Sequence, residues 1–197
     1  SEDKRKLVVE TVMKTIQGGH FSPKNLDDSF STRVYHKLMS QFDYEKLYFT
    51  RQDVNMLKTY EFKIDDEIRN NSLEFFDSLD AVFLRRTAGA EKFYKDILSK
   101  PFTFNGNEEI QLNRDKQDYA ADENGLSDRW RQYLKYRVLA KYVDLEKEQE
   151  KKRENKDSVN AKFKTDSEME VQAREDVVKF YQRWFKRIYK WKDDDRF

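Results

Sequence analysis

The chain has 197 residues, enough for one substantial domain with a hydrophobic core, and its 15% aromatic content excludes bulk disorder despite 39% charged residues. Its 39 Lys and Arg balance 38 Asp and Glu, so the net charge does not point to nucleic acid as a partner. The absence of cysteine excludes disulfides and thiolate metal sites, and no apolar run approaches the ~20 residues of a membrane span.

The first two predicted elements are helices, as expected for a chain with only 5 Gly and 2 Pro. Apolar residues at helical spacing predict a first helix over 3–17, which ends at Gly18-Gly19. A second helix is expected to begin after Asn25, its predicted N-cap. The predicted inner face of this second helix consists of Phe30, Val34, Leu38 and Phe42, with Tyr35 alongside.

The next two helices are predicted from capping and periodicity. Thr50, with Asp53 three residues later, resembles a capping box, and the helix that it begins is expected to run to about Asn70. A fourth helix is predicted after Ser72 and continues to Leu98. Gly89 is expected to bend it, since glycine is about 1 kcal/mol less favourable than alanine inside a helix.

Pro101 ends the helical pattern, and the residues after it are predicted to form one small β-hairpin or extended segment near 101–113. Apolar residues alternate with polar ones on either side of Asn105-Gly106, which is a favoured hairpin turn. The alternating apolar residues are Phe102, Phe104, Ile110 and Leu112.

A long helix after Gly125 is predicted from six apolar residues that follow a regular helical spacing. They are Leu126, Trp130, Leu134, Val138, Tyr142 and Leu145. Apolar residues are then absent until Val159, so a charged segment at about 146–165 is predicted to be a protruding helix end followed by a mobile loop.

The last predicted helix, from about Asp166 to Trp191, has an unusually wide apolar face that covers about half its circumference. A helix that packs on a single neighbour needs a stripe of only ~100°. Two explanations are open: the helix packs on two neighbours within the domain, which is the more frequent case, or part of the face meets something outside the chain.

The aromatic stretch at 42–49 is predicted to be a corner between two helices. Phe42 and Phe49 are expected to be buried across the turn, while Tyr44 or Tyr48 keeps its hydroxyl in contact with water.

No catalytic, cofactor-binding or metal-binding residues are predicted. The two histidines, His20 and His36, lie far apart in the sequence, unlike the i,i+4 ligands of a helical zinc site. Adjacent carboxylates such as Asp65-Asp66 diverge on a helix and do not converge on one substrate atom. None of the serines lies in a glycine-containing nucleophile elbow.

Three segments in matching order resemble the N-terminal region of the tail-specific, or carboxy-terminal processing, proteases. They are "HFSPKNLDDSFSTRVYHKLMSQFDYEKLYFTRQDV" (20–54), "KPFTFNGNEEIQLNRDK" (100–116) and the tryptophan-containing "LSDRWRQYLKYRVL" (126–139). The residues that match in the first segment are His20, Phe21, Leu26, Asp27, Phe30, Val34, Leu38, Phe42, Asp43, Tyr48, Phe49, Asp53 and Val54.

The resemblance implies a single helical domain over 1–197 from a periplasmic serine endopeptidase. It also implies a PDZ domain and a catalytic domain with a Ser-Lys dyad, for which these residues have no counterpart, so the chain itself is expected not to be an enzyme. The implied partners are the enzyme's own PDZ and protease domains, a helical-repeat lipoprotein adaptor, and protein substrates with apolar C-termini. No metal, nucleotide or nucleic acid is implied.

The expected fold is all-α, with about six helices in an irregular bundle. The candidate interdomain or partner face consists of Phe180, Trp184, Ile188 and Trp191 on the last helix, with Phe102 and Phe104 from the extended segment. The alternatives are a free-standing helical module for protein–protein interaction and a helical enzyme whose site the sequence does not reveal.

Overall fold

A computed structural model of the chain describes residues 25–154 and 163–194, and in the last helix it describes side chains as far as residue 190. The described residues contain no β-strand and six α-helices: α1 (Asp28–Phe42), α2 (Arg51–Leu57), α3 (Ile64–Arg69), α4 (Glu74–Leu98), α5 (Glu123–Glu154) and α6 (Asp166–Asp194). The predicted all-α fold is therefore confirmed. The first predicted helix, over 3–17, lies outside the described residues.

Three long helices form the centre of the domain, since α5 packs along α6 and both pack on α4. Trp130 of α5 is completely buried, and its ring centroid lies 5.4 Å from that of Tyr181 and 6.4 Å from that of Phe185. Its indole N–H donates to the carbonyl of Leu47, at 2.7 Å, so the polar atom of this ring is satisfied inside the core. Truncation of such a side chain to alanine typically costs about 3–5 kcal/mol.

Helix α5 follows the predicted apolar stripe. Leu126, Trp130, Leu134 and Val138 are buried, as their four-residue spacing indicates. The helix continues to Glu154, so residues 146–154 of the predicted mobile segment are helical. Residues 155–162 lie outside the described part of the chain.

The helix predicted from Thr50 to Asn70 is divided in two. The capping box is present, because Thr50 Oγ1 accepts from the backbone N–H of Asp53 and the Asp53 carboxylate accepts from that of Thr50. Helix α2 nevertheless ends at Leu57, and α3 begins at Ile64 after a short 3₁₀ turn. This break allows both Leu57 and Ile64 to face the core, and the N–H of Asp65 then donates to the buried hydroxyl of Ser31 on α1.

Helix α1 begins two residues later than the predicted N-cap, Asn25, would place it. Asp27 is its N-cap, and the carboxylate accepts from the backbone N–H of Phe30 at 2.9 Å. The helix buries Ser31, Tyr35 and Met39, while the predicted residues of its inner face pack at the edges of this stripe and are only partly buried.

Helix α4 shows no break at Gly89. Thr87 and Ala90 are both buried in its inner face, so packing on the core maintains the helix through the glycine. A Cβ added at Gly89 would have no atom within 4 Å, which indicates that this position does not require glycine.

Of the two forms predicted for residues 101–113, the hairpin is absent, because these residues form no paired strands. The segment is tied instead to the long helices. The N–H of Phe102 donates to the carboxylate of Glu170 on α6, at 3.0 Å, and Glu108 pairs with Arg131 and Lys135 on α5. These bonds hold the segment against α5 and α6.

Candidate interaction surface

The wide apolar face of α6 is accounted for mainly within the domain. Its centre consists of Val177, Tyr181, Phe185 and Ile188, all of which are buried. Tyr181 and Phe185 contact Trp130 on α5 and also stack against Tyr94 on α4. Packing on two neighbours, the first of the two explanations for this face, therefore explains most of its width.

Two aromatic residues extend this face to the surface on the side of α5. The rings of Phe180 and Trp184 are stacked, with their centroids 6.5 Å apart and their planes 8° from parallel. Trp184 is half-buried, whereas Phe180 is 36% exposed. The indole N–H of Trp184 donates to the hydroxyl of Tyr48, at 3.0 Å, which fixes the orientation of the exposed pair from below.

Arginine side chains lie over both rings of this pair. The guanidinium of Arg137 on α5 is 5.0 Å from the centroid of Phe180, and that of Arg187 is 5.1 Å from the centroid of Trp184. Each contact is of the cation–π type, worth about 0.5–1 kcal/mol at an exposed site. Within the described residues, the ion pairs include neither of these two arginines nor the exposed Arg183 between them.

A buried carboxylate organises the corner that holds Tyr48. The Asp43 side chain accepts from the backbone N–H of Leu47 at 2.8 Å, of Tyr48 at 3.1 Å and of Phe49 at 2.7 Å. Burial raises the pKa of Asp43 to about 6, while these N–H groups and Arg129 act in the opposite direction. The carboxylate thus satisfies three backbone donors in a loop that has no regular structure.

The aromatic residues of this corner divide between core and solvent. Phe49 is completely buried and Phe42 is partly buried, and both rings contact Phe83 of α4, with centroid distances of 6.4 Å and 5.1 Å. Tyr44 is 62% exposed, whereas Tyr48 is buried and meets Trp184. Burial raises the pKa of the Tyr48 phenol, so it remains neutral at physiological pH.

Three of the other predicted face residues lie elsewhere. Ile188 is only 8% exposed and packs inside the domain. Phe102 and Phe104 contact each other, and Phe104 also contacts Tyr142, but neither has a ring contact with Phe180 or Trp184. The side chain of Trp191 lies outside the described residues.

The described residues show no sign of a metal site or a membrane-spanning helix. No group of three or more His, Asp or Glu side chains in 25–154 and 163–190 is placed to hold a metal ion. Across the same residues, no helix has both the length and the apolar character needed to cross a bilayer.

The buried serine, Ser31, donates to the carboxylate of Asp65 at 2.6 Å, an arrangement that ties α1 to the start of α3.

The sequence matches the family described as the tail specific protease N-terminal domain over residues 12–197. The chain belongs to this family. It is also 20% identical over 194 residues to the tail-specific protease of Haemophilus influenzae. The match covers 98% of the chain and 25% of the relative, so the chain spans about a quarter of that protein's length.

Residues that carried the family resemblance have clear structural roles in this tail-specific protease N-terminal domain. Asp27 caps α1, Asp43 organises the corner, and Asp53 accepts hydrogen bonds from Arg86 and Thr50. Burial acts to raise the pKa of Asp53, but the hydrogen bonds from Arg86 and Thr50 outweigh it, so the pKa is lowered.

Sequence reasoning missed the role of Arg137 in the candidate surface. Nothing in one sequence pairs this residue with Phe180, more than forty positions away, because the contact depends on how α5 and α6 lie against each other.

Proposed function

We propose that the chain is the non-catalytic N-terminal domain of a periplasmic tail-specific protease, and that it packs on the protease body and assists docking of a substrate or adaptor. Family membership and the protease relative support this proposal. By resemblance to the family, hydrolysis belongs to a Ser-Lys dyad in the catalytic domain, the substrates have apolar C-termini, and the adaptor is a helical-repeat lipoprotein.

The observation that carries the proposal is the surface formed by Phe180, Trp184, Arg137 and Arg187. Aromatic residues and arginine are enriched in protein interfaces, and a few of them usually dominate the binding energy. Here two stacked rings are fixed from below by Tyr48, and two guanidinium groups lie over them. Such a rigid surface loses little conformational entropy when a partner covers it.

Of the six residues predicted for this face, the proposal therefore retains Phe180 and Trp184. Ile188 already has its partners within the domain, and Phe104 packs on Tyr142.

The test is a substitution of Phe180 in the full-length protease. Phe180→Glu places a carboxylate between the arginines and should disturb an interface without removing a buried side chain. Leu139→Glu is the matched control, because Leu139 is 37% exposed on α5 and Phe180 is 36% exposed on α6. We expect Phe180→Glu to lower kcat/KM for a substrate with an apolar C-terminus by about tenfold or more, as for loss of an interface hot spot.

Both variants should retain the thermal stability of the wild-type protein. Equal activities of Phe180→Glu and Leu139→Glu would contradict a role of this surface in docking. A Phe180→Glu variant that is inactive because it is unfolded would be recognised by its loss of helical circular dichroism and replaced by Phe180→Ala.

A further inference from the structure

The cations around the aromatic pair Phe180–Trp184 are arranged by type. On α6 the arginines lie next to the pair, since Arg187 and Arg183 are about 20° and 60° around the helix axis from Phe180, at about 100° per residue. Together with Arg137, which reaches the pair from α5, they form what we call the arginine cluster. The lysines of this stretch lie further round the helix, at about 80° to 120° from Phe180, and are Lys179, Lys186 and Lys190.

Two members of the arginine cluster are held against the rings. The guanidinium of Arg137 lies 5.0 Å from the ring centroid of Phe180, and that of Arg187 lies 5.1 Å from that of Trp184. A guanidinium group has five N–H donors in a planar fork, so a contact with one ring leaves donors for a carboxylate. Burial raises the pKa of Tyr133, so this neighbour of Arg137 is neutral and does not balance its charge.

The charge of the arginine cluster is not balanced by acidic residues around it. Within the residues that the structure describes, no ion pair includes a member of the cluster. Glu45, a charged neighbour of Tyr133, is bonded to Arg114 instead. From Val177 to Lys190, α6 contains no acidic residue. Three such charges beside an exposed aromatic ring are complementary to a partner that carries carboxylates, and arginine is the cation that binds carboxylates through two parallel hydrogen bonds.

From this arrangement we infer that the Phe180–Trp184 surface binds an acidic segment of a partner protein, in which an apolar side chain lies between carboxylates. The apolar side chain covers the exposed part of Phe180, and the carboxylates accept from the arginine cluster. The inference rests on the proposed function, because it names the chemistry of the partner that docks on the same surface. From Phe180 to Arg187 this surface extends about 10 Å along α6, which about two turns of a partner helix or three residues of extended chain would span.

Two phosphate-bearing partners fit the surface less well. A membrane would need apolar side chains that insert between lipids, whereas Trp184 is half-buried and its indole N–H is bonded to Tyr48. Single-stranded nucleic acid would need open ring faces for base stacking, whereas the two rings of the pair are stacked with each other and arginines lie over them.

The test measures the affinity of the 197-residue chain for defined peptides by fluorescence anisotropy. The probe is a peptide of about ten residues in which one leucine lies between two pairs of glutamate, and its counterpart has glutamine, which is similar in shape but uncharged, in place of each glutamate. At about 50 mM salt we expect the glutamate peptide to bind at least about tenfold more tightly than the glutamine peptide. The difference should shrink at about 500 mM salt, because exposed charges are then screened.

Variants distinguish the arginine cluster from a general attraction to positive charge. Arg187→Gln should weaken binding of the glutamate peptide at least about fivefold. Arg187→Lys retains the charge but loses the planar fork, and it should weaken binding at least about threefold. Lys186→Gln removes the same charge as Arg187→Gln from an exposed residue on the lysine side of α6, and it should leave the affinity within about twofold. Helical circular dichroism verifies that each variant is folded.

Four results would overturn the inference. Equal affinities for the two peptides would show that the surface does not select carboxylates. Equal effects of Arg187→Gln and Lys186→Gln would show that binding follows the net charge alone, and wild-type affinity of Arg187→Lys would show that the guanidinium fork is not used. Cosedimentation with vesicles of equal parts phosphatidylcholine and phosphatidylglycerol, combined with no selection between the peptides, would assign the arginines to phosphate groups.

Failure of this inference can be told apart from failure of the proposed function. If Phe180→Glu lowers kcat/KM of the full-length protease while the two peptides bind equally, the surface docks a partner that is not acidic, and this inference alone fails. If the glutamate peptide is selected but Phe180→Glu and Leu139→Glu have equal activities, the surface binds acidic segments, and its docking role in proteolysis fails.

Discussion

Replacement of Asp43 by alanine tests whether this carboxylate holds the corner together. The substitution leaves the buried N–H groups of Leu47, Tyr48 and Phe49 without an acceptor. At about 2 kcal/mol for each unsatisfied donor, the loss is about 6 kcal/mol.

Removal of the carboxylate also relieves a cost that the folded wild type carries. Because burial raises the pKa of Asp43 from 3.8 to about 6, the ionised group destabilises the fold by about 3 kcal/mol at neutral pH. The net loss of unfolding free energy for Asp43→Ala is therefore about 3 kcal/mol.

Urea denaturation followed by tryptophan fluorescence measures this loss. With a urea m-value of about 2 kcal/mol/M, the midpoint should fall by about 1.5 M. Asp144→Asn, on the exposed side of α5, is the control and should stay within about 0.5 kcal/mol of the wild type. A midpoint for Asp43→Ala that equals that of the control would refute the idea that Asp43 organises the corner.

Three further outcomes are expected from the same contacts. Since the pKa of Asp43 is raised on folding, the contribution of this group to the free energy of unfolding is greatest below pH 4 and is lost as the pH rises through about 6. The difference in unfolding free energy between the wild type and Asp43→Ala should therefore be larger at pH 4.5 than at pH 7. Arg86→Ala should lower the free energy of unfolding, measured by urea denaturation, by about 3 kcal/mol, because it removes the 2.7 Å ion pair of the buried Asp53. Arg85→Ala should lower it by less than about 1 kcal/mol, because the arginine of that pair is 65% exposed. Trp184→Phe keeps a six-membered aromatic ring but removes the pyrrole ring and its N–H bond to the Tyr48 hydroxyl, so the unfolding free energy should fall by at least about 1 kcal/mol. No change would show that this bond is not stabilising.

Helices with a strong apolar period were predicted well from the sequence. Leu126, Trp130, Leu134 and Val138 define the buried side of α5, and the structure places them there. The apolar spacing is sufficient to predict which residues of α5 are buried, because this helix packs on the core along its inner face.

Other elements depend on contacts that no local pattern contains. The buried stripe on α1 begins at the polar Ser31, whose hydroxyl is satisfied inside the core by a hydrogen bond to Asp65 of α3. Of the two forms predicted for residues 101–113, a hairpin or an extended segment, the hairpin does not form, and the segment is bonded instead to Glu170 of α6 and to the cations of α5. In both cases the partners are more than twenty residues away in the sequence.

The candidate surface was predicted in part. The width of the apolar face on α6 correctly indicated more than one packing partner, and it included Phe180 and Trp184 at its edge. The sequence could not separate these two from the buried Ile188, since all three lie on the same side of the helix. Their exposure is determined by how closely α5 approaches α6.

The most direct test of the central claim is site-specific photo-cross-linking from this surface in the full-length protease. A benzophenone amino acid replaces Phe180 in one protein and Leu139 in another, and mass spectrometry identifies the peptides captured on irradiation. The proposed docking role predicts cross-links from position 180 to the PDZ or protease domains, or to a bound adaptor, and few or none from position 139. Cross-links from position 139 alone, or none from either position, would contradict it.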